Sequence, residues 1–266
     1  MAGTKAVHGL LWCYVTQKKS PYILHVPSST EAGELAVLKT LNAEFMKICK
    51  PITVKLGKYT FKNVVGINKI AGVPKADVAL VAWKDKKLQN VAFISHKMGA
   101  TARDFQQYSG ATPVADGKKQ GSISKHPAVI KFLEAVSQPG PYERITQGKE
   151  RFYHKIVSGP LIGRAVYGPF YVKGSTNFGE DNIHVIGQGT PRLTKTGASY
   201  NLSFSGGIHS NGDTNPFLTG DYKAVIGARY TSGRTFTARG QICRNVRIMI
   251  LPLVVLGGKS QLLTED

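Results

Sequence analysis

The sequence predicts an α+β protein with a mixed central β-sheet flanked by helices, followed by a β-rich C-terminal half. One observation is residues 28–49, whose apolar side chains recur at helical spacing. Another is a pair of short, β-prone apolar runs at residues 76–83 and 91–97, separated by a charged turn. The last is the alternation, from about residue 142 onward, of aromatic and β-branched segments with turns rich in glycine, asparagine and aspartate.

The chain of 266 residues is long enough for one large domain or two small ones with a substantial core. The sequence Gln-Pro-Gly-Pro at residues 138–141 ends a helix-prone segment and is the best candidate for a boundary. We therefore expect an α/β core with N-terminal strands over residues 1–140 and a β-rich basic extension over residues 141–266. The extension is expected to pack on the same core, with strands that include residues 165–167, 200–204 and 225–230.

The chain carries 35 lysines and arginines against 16 acidic residues, a formal charge of +19. So large an excess favours a polyanionic partner, because each neutralised phosphate releases counterions. The basic residues are scattered and form no compact amphipathic helix, so nucleic acid is a better partner than an anionic membrane surface. From Arg151 onward arginine outnumbers lysine, and its planar fork suits bidentate contacts to phosphate or guanine.

The long helix is opened by the candidate caps Ser28, Ser29 and Thr30. Its predicted apolar face consists of Leu35, Leu38, Leu41, Phe45 and Ile48. Glu34 falls near the centre of this face, and a carboxylate that points toward a core needs compensation by a metal or a lysine. The alternative is a first-turn glutamate that favours the helix dipole and reaches solvent. Glu31 and Glu44 are substitutes if the helix is rotated.

The two apolar runs place three chemically useful side chains together. Asp77 opens the first run, and the second run returns beside it as a hairpin that carries Ser95 and Lys97 two residues apart, on one face. A carboxylate can hold a hard cation such as Mg²⁺, while a lysine orients or deprotonates water and neutralises charge on phosphate. This combination suits phosphodiester hydrolysis. The alternative is structural, with Asp77 ending an edge strand, Ser95 in the core and Lys97 in solvent.

These residues resemble the PD-(D/E)XK nuclease superfamily, which includes many restriction enzymes, Holliday-junction resolvases and phage nucleases. Its motif is an acidic residue opening one strand, a variable gap, and then acid-any-lysine on the next strand. Asp77 matches the first acid and Lys97 the lysine, whereas Ser95 stands where the second acid is expected and Ala76 replaces the usual proline. The resemblance spans roughly residues 31–135.

The resemblance implies a restriction-endonuclease-like core, Mg²⁺ or Mn²⁺ as cofactor, and DNA as substrate. The first helix of the superfamily often contributes a glutamate to the metal site, and Glu34 occupies the comparable place. Asp77 and Glu34 would then hold the metal and Lys97 would position the attacking water. Ser95 would give at most a hydrogen bond or a water-mediated ligand.

Two segments are candidate nucleic-acid contacts. Residues 100–108 look helical and resemble the glutamine-bearing helix that often follows the lysine in this superfamily. The candidate contacts within this segment are Arg103, Gln106, Gln107 and Tyr108. Residues 229–239 interleave arginines with aromatic residues, which suits phosphate contact plus stacking. The candidate arginines there are Arg229, Arg234 and Arg239, and the alternative is an ordinary basic β-hairpin.

The three cysteines, Cys13, Cys49 and Cys243, are odd in number and far apart, which predicts neither a disulfide framework nor a zinc site. With no apolar signal segment at the start, we expect a cytoplasmic protein with free thiols, in the host cytoplasm if the gene belongs to a phage. No membrane association is expected, and a homodimer is one form to test.

The resulting hypothesis is a magnesium-dependent deoxyribonuclease, either an endonuclease or an exonuclease. Its competitor is a catalytically inactive nucleic-acid-binding protein that retains the nuclease fold. Ser95 favours the competitor, because a hydroxyl carries no charge and is a poor metal ligand beside a carboxylate. Cleavage assays with and without a divalent metal separate the two hypotheses.

Overall fold

The computed structural model describes residues 29–72, 74–99, 107–112, 123–148, 151–155, 159–213, 223–253 and 260–262. These residues form two β-sheets and four α-helices. The predicted α+β class with a mixed central sheet is therefore confirmed. The strands expected before residue 28 lie outside the described residues.

The helices are α1 (Ser29–Ile48), α2 (Pro127–Val136), α3 (Pro139–Thr146) and α4 (Gly159–Tyr167), with a 3-10 helix at Ile123–Lys125. The strands are β1 (Ile52–Leu56), β2 (Tyr59–Lys69), β3 (Val78–Lys84), β4 (Lys87–Lys97), β5 (Ser109–Gly110), β6 (Arg151–Lys155), β7 (Val185–Gln188), β8 (Pro191–Thr196), β9 (Ser199–Phe204), β10 (Gly207–Ser210), β11 (Lys223–Ala238), β12 (Gln241–Leu253) and β13 (Ser260–Leu262).

The chain divides into two compact units that are interleaved along the sequence. The first unit comprises Met1–Ala100 and Asn177–Asn211, and the second comprises Thr101–Thr176 and Gly212–Asp266. The boundary between a core of residues 1–140 and an extension of residues 141–266 stays a prediction.

The first unit contains an eight-stranded sheet in the order β10-β7-β4-β3-β2-β1-β9-β8. The β1–β9 and β4–β7 pairs are parallel and the other pairs antiparallel, so the sheet is mixed. The predicted β3–β4 hairpin is confirmed, with Val78 opposite Ile94 and Ala79 opposite Phe93. Its turn uses positive φ angles of 49° at Asp85 and 60° at Lys86, which match the twist of the two strands.

Helix α1 packs on this sheet through Val37, Leu41 and Phe45, which are buried in one core with β1 to β4. Leu38 and Ile48 of the predicted stripe are only partly buried, so the helix is rotated slightly toward Val37. This burial is the main stabilisation of the unit, at roughly 2 kcal/mol for each large apolar side chain removed from water.

The second unit contains a five-stranded sheet in the order β13-β6-β11-β12-β5. Strands β11 and β12 form a long hairpin that turns at Arg239 and Gly240, both of which have positive φ. The predicted strands at residues 200–204 and 225–230 are confirmed. The strand expected at residues 165–167 is wrong, because these residues end α4, where their tertiary burial outweighs their β propensity.

The expectation of free thiols is wrong for Cys49, which takes part in a disulfide bond, and it holds for Cys243, which is free and buried. An odd number of cysteines excludes complete pairing but does not exclude one pair. None of the described helices combines the length and the apolar character that a bilayer crossing requires.

Candidate active site

Asp77 lies immediately before β3 and is tied to the strands on both sides. Its backbone N–H donates to the carbonyl of Ile94 at 2.9 Å, and its carbonyl accepts from the N–H of Ile70 at 3.0 Å. Its carboxylate Oδ2 accepts two further hydrogen bonds, one from Ser95 Oγ at 3.0 Å and one from the His96 N–H at 2.6 Å. The predicted approach of Asp77 to Ser95 is therefore present in the structure. Because both bonds use Oδ2, Oδ1 is the oxygen on which a cation would coordinate.

Lys97 ends β4, two residues after the fully buried Ser95 and on the same face of the strand. In the parallel β4–β7 pair it lies opposite Gln188, which is also fully buried. The amide of Gln188 donates to the carbonyl of Met98 at 3.4 Å, and the N–H of Gly189 donates to the carbonyl of Lys97 at 2.8 Å. Gln188 is therefore a neighbour of Lys97, and no local sequence pattern identifies it.

Lys75 is a second lysine of the site. Burial lowers the pKa of Lys75 well below its usual value, and the positive charge of Lys97 lowers it further, while the negative charge of Asp77 acts in the opposite direction. Lys75 is therefore close enough to Lys97 and Asp77 for both charges to act on it. The backbone N–H of Lys75 donates to Oδ1 of Asp181 at 3.1 Å, which fixes the segment before β3. In the sequence Lys75 is one of several lysines that could face phosphate, and no local pattern distinguishes it from the others.

The His96 side chain contributes to the local packing. Its Nε2 lies 2.8 Å from the carbonyl of Gly189, which can only accept, so this nitrogen carries the proton. Burial lowers the pKa of His96, with opposing influences from the Gly189 carbonyl and the Asp77 carboxylate. The lowered pKa favours the neutral ring. The hydrogen bond of this ring to Gly189 fixes the position of His96, whose backbone N–H donates to Asp77.

Glu34 reaches the same end of the sheet from α1. Its carboxylate lies 3.4 Å from Nζ of Lys69, the last residue of β2. A side-chain carbon added to Gly33 would lie 2.7 Å from the sulfur of Met98, so the start of α1 is close to the residue that follows Lys97. The lysine that sequence analysis considered as compensation for Glu34 is present. The assignment of Glu34 as a metal ligand stays a prediction.

The two carboxylates approach the end of the sheet from different sides. Lys69 lies opposite Val78, and Val78 lies opposite Ile94, so these residues share the face on which α1 packs. Ser95 and Lys97 point to the other face, because side chains alternate along a strand. A shared metal would therefore require Glu34 to reach past the strand end.

A metal site can be tested against the described side chains. Among these residues, no group of three or more histidines, cysteines, aspartates and glutamates is close enough to hold a metal. Mg²⁺ in phosphoryl chemistry is usually held by only one or two carboxylates and completes its shell with water and substrate phosphate. Asp77, whose Oδ1 accepts neither of the two hydrogen bonds made by Oδ2, fits the first requirement, and Glu34 is the second ligand that the sequence predicts. Glu44 forms an ion pair with Lys47 at 2.8 Å.

The other predicted nucleic-acid contacts are located differently. Arg103, Gln106 and most of the helix expected at residues 100–108 lie outside the described residues. Gln107 is partly buried. Tyr108 is only 1% exposed, and burial raises its pKa. Its role at DNA stays a prediction, which this burial weighs against.

The predicted arginines of residues 229–239 all belong to the β11–β12 hairpin. Arg229 is partly buried on β11, whereas Arg234 and Arg239 are exposed. Arg229 lies directly opposite Arg247 of β12, a residue that sequence analysis did not single out. Only the strand register brings these two arginines together.

The fold and the group of Asp77, Ser95 and Lys97 define an α+β chain with an acid–serine–lysine arrangement at one end of a mixed sheet. The chain is similar to the type II restriction enzyme CviJI of Paramecium bursaria Chlorella virus IL3A, with 31% identity over 193 residues. The matched region covers 71% of this chain and 50% of the relative, so the chain spans about half the length of the curated relative it matches. No protein-family model matches the chain, and no solved structure matches it.

Proposed function

We propose that this chain is a metal-dependent DNA endonuclease that hydrolyses phosphodiester bonds. The observation that carries the proposal is the 3.0 Å hydrogen bond from Ser95 to Asp77, because it fixes a carboxylate beside the strand that ends in Lys97. The similarity to a type II restriction enzyme supports DNA as the substrate and hydrolysis as the reaction. The formal charge of +19 supports a polyanionic substrate.

The proposed roles follow from the position of each side chain. Asp77 would hold Mg²⁺ or Mn²⁺, with Glu34 as the second carboxylate. When bound, the metal would polarise a phosphate oxygen and lower the pKa of a coordinated water. Lys97 would position the attacking water and stabilise charge that develops on the phosphate. Ser95 acts through Asp77, because its hydroxyl orients the carboxylate.

Lys75 is electrostatically coupled to the same site. Burial and the charge of Lys97 lower the pKa of Lys75 and so favour the uncharged amine, whereas the charge of Asp77 favours the ammonium form. A DNA phosphate bound beside Lys75 would add negative charge and shift this balance toward the ammonium form. We therefore infer that Lys75 is a positioning residue for DNA phosphate.

A nucleic-acid-binding protein without catalysis is the second candidate. The observation that favours it is Ser95, a fully buried hydroxyl where the superfamily motif has a carboxylate. This candidate predicts binding of DNA with the same salt dependence, but no hydrolysis under any metal condition.

Cleavage assays test the proposal. The full chain is incubated with supercoiled plasmid, linear duplex, single-stranded DNA and RNA, with Mg²⁺ or Mn²⁺, and then with a chelator. We expect cleavage of DNA that the chelator stops and that falls roughly 100-fold or more in Lys97→Ala and Asp77→Asn, while DNA binding persists. Lys195→Ala, at an exposed position of β8, is the matched control and should cleave like the wild type.

Intact nucleic acid under every condition would contradict the nuclease and support the binding protein. Cleavage that survives Asp77→Asn would place the chemistry elsewhere in the chain. A homodimer is a further part of the proposal, and sedimentation of the chain with and without a short duplex measures it.

A further inference from the structure

Three arginines lie side by side across neighbouring strands of the second unit. Arg229 of β11 lies directly opposite Arg247 of β12. On the other edge of β11, Ala228 lies opposite Phe152 of β6, and the same antiparallel register places Arg151 opposite Arg229. We call Arg151, Arg229 and Arg247 the arginine row. Because adjacent strands are about 4.8 Å apart, the row spans roughly 10 Å across the sheet.

The row carries concentrated positive charge. Like charges directly opposite each other on a sheet are destabilising. Among the described residues, no acidic side chain lies within ion-pair distance of any of the three arginines. Burial lowers the pKa of Arg247, and the nearby charges of Arg229 and Arg234 lower it further. An arrangement that costs folding energy and has no acidic partner on the described surface suits an anionic ligand.

A pocket adjoins the row on the same face. Gly227 lies opposite Tyr153 and Met249. Each of these three residues is two positions along its strand from an arginine of the row, so all of them lie on the same face of the sheet as the row. The pocket has a volume of about 270 Å³, and its walls include Arg151, Tyr153, Arg229, Met249 and Leu251 around Gly227. One end is therefore cationic and the other apolar.

Gly227 lets two walls of the pocket lie close to the backbone of β11. A side-chain carbon at this position would lie 2.8 Å from Leu251 Cδ2 and 3.0 Å from Tyr153 Cδ1. Any larger residue would therefore displace these walls and change the shape of the pocket. A glycine inside a strand costs conformational entropy and marks a close approach to the backbone, which here is made by Leu251 and Tyr153.

We propose that this face is a DNA-backbone site, in which the arginine row binds phosphates and the Gly227 pocket takes one deoxyribose. The cationic end matches a phosphodiester, and the apolar wall of Met249 and Leu251 matches the carbon face of a sugar. Three arginines over roughly 10 Å can contact two or three successive phosphates, which are about 3.4 Å apart along the helix axis of each strand. This inference deepens the proposed function and rests on DNA being the substrate.

Salt-dependent binding tests the row. The full chain is titrated with a short fluorescent duplex in chelator, so that no hydrolysis occurs, over roughly 50 to 200 mM NaCl. We expect Arg151→Ala, Arg229→Ala and Arg247→Ala each to weaken binding about tenfold. Each should also reduce the slope of log K against log salt by about 0.9. Arg192→Ala, an exposed arginine on β8 of the first unit, is the matched control and should change neither quantity.

Two further variants separate charge from folding and test the pocket. Lysine at all three row positions keeps the charge, so we expect the wild-type salt slope with weaker binding, because lysine lacks the bidentate fork. Gly227→Ala should weaken binding without changing the slope. Circular dichroism and thermal unfolding of every variant monitor the fold.

Wild-type affinity and slope in the three alanine variants would overturn the row as a DNA site. A Gly227→Ala variant that folds normally and binds normally would overturn the role of the pocket. Preference for duplex RNA over DNA at equal salt would contradict the deoxyribose assignment. These failures are distinguishable from failure of the proposed function, because hydrolysis that requires Asp77 would persist in them.

Discussion

The hydroxyl of Ser95 donates a 3.0 Å hydrogen bond to Oδ2 of Asp77, and the next backbone N–H, of His96, donates to the same oxygen at 2.6 Å. One end of β4 therefore holds a carboxylate that enters from the segment before β3. Ser95 stands where the acid-any-lysine motif has its second acid, and it is a hydrogen-bond donor to the remaining acid, Asp77.

Ser95→Ala tests how much the hydroxyl contributes. Its loss leaves Asp77 Oδ2 with the His96 N–H alone, so we expect a loss of about 1–2 kcal/mol in the free energy of unfolding. Cleavage should fall less than tenfold, because the carboxylate remains held at its other contacts. Denaturant unfolding and initial cleavage rates measure the two effects. Ser199→Ala removes an exposed serine–backbone hydrogen bond and is the control; equal effects of both variants would contradict a special role for Ser95.

The two lysines of the site are predicted to be coupled. Because the charge of Lys97 is one cause of the lowered pKa of Lys75, Lys97→Ala should raise the pKa of Lys75 toward its usual value. Titration of lysine side-chain carbons labelled with ¹³C, followed by NMR, measures this shift. Lys84→Ala, at an exposed position of the β3–β4 turn, is the control. An unchanged Lys75 resonance in Lys97→Ala would show that the two groups do not share a site.

Glu34 and Lys69 form a pair whose two members have different predicted roles. If Glu34 is the second metal ligand, Glu34→Gln should raise the Mg²⁺ concentration for half-maximal cleavage by about tenfold. Lys69→Met removes the 3.4 Å ion pair but leaves the carboxylate, so it should not raise that concentration. Metal titrations of the cleavage rate compare the variants. The same small effect in both would assign Glu34 to the ion pair alone.

We expect protonation of His184 to lower the stability of the first unit at acid pH. Its Nδ1 accepts a hydrogen bond from the Phe93 N–H at 3.1 Å, and its ring stacks on Phe178 at a centroid distance of 4.0 Å. Burial lowers the pKa of His184 from 6.5 to about 4. The unfolded chain therefore binds a proton between these pH values that the folded chain does not. We therefore expect the contribution of His184 to stability to be fully present above about pH 6.5 and to be lost as the pH falls toward 4.

The expected size of this effect at pH 4.5 is roughly 2.5 kcal/mol. His184→Phe removes the titrating group, so its free energy of unfolding should fall less between pH 7.5 and 4.5 than that of the wild type. The variant should be less stable at pH 7.5, because the Phe93 N–H loses its acceptor. Urea unfolding at several pH values measures both. A parallel pH dependence in wild type and variant would assign the acid sensitivity to other groups.

Helix α4 shows why one local prediction was wrong. Residues 165–167 are Ala-Val-Tyr, and two of the three favour strands by propensity. In the structure Ala165, Val166 and Tyr167 are all buried at the end of the helix. Propensity differences are a few tenths of a kcal/mol per residue, whereas burial of a large side chain contributes roughly 2 kcal/mol. Packing therefore decides the conformation of such short segments.

The sequence by itself determined the long helix α1, the β3–β4 hairpin and the approach of Asp77 to Ser95. These features depend on periodicity within one segment or on strands joined by a short turn, where the chain has little freedom to pair otherwise.

Only the tertiary structure decided that Gln188 lies beside Lys97, that Glu34 meets Lys69, and that three distant arginines form a row. Sheet neighbours that are far apart in sequence are selected by the packing of the whole chain, which repays the entropy of closing long loops. No local pattern encodes that choice.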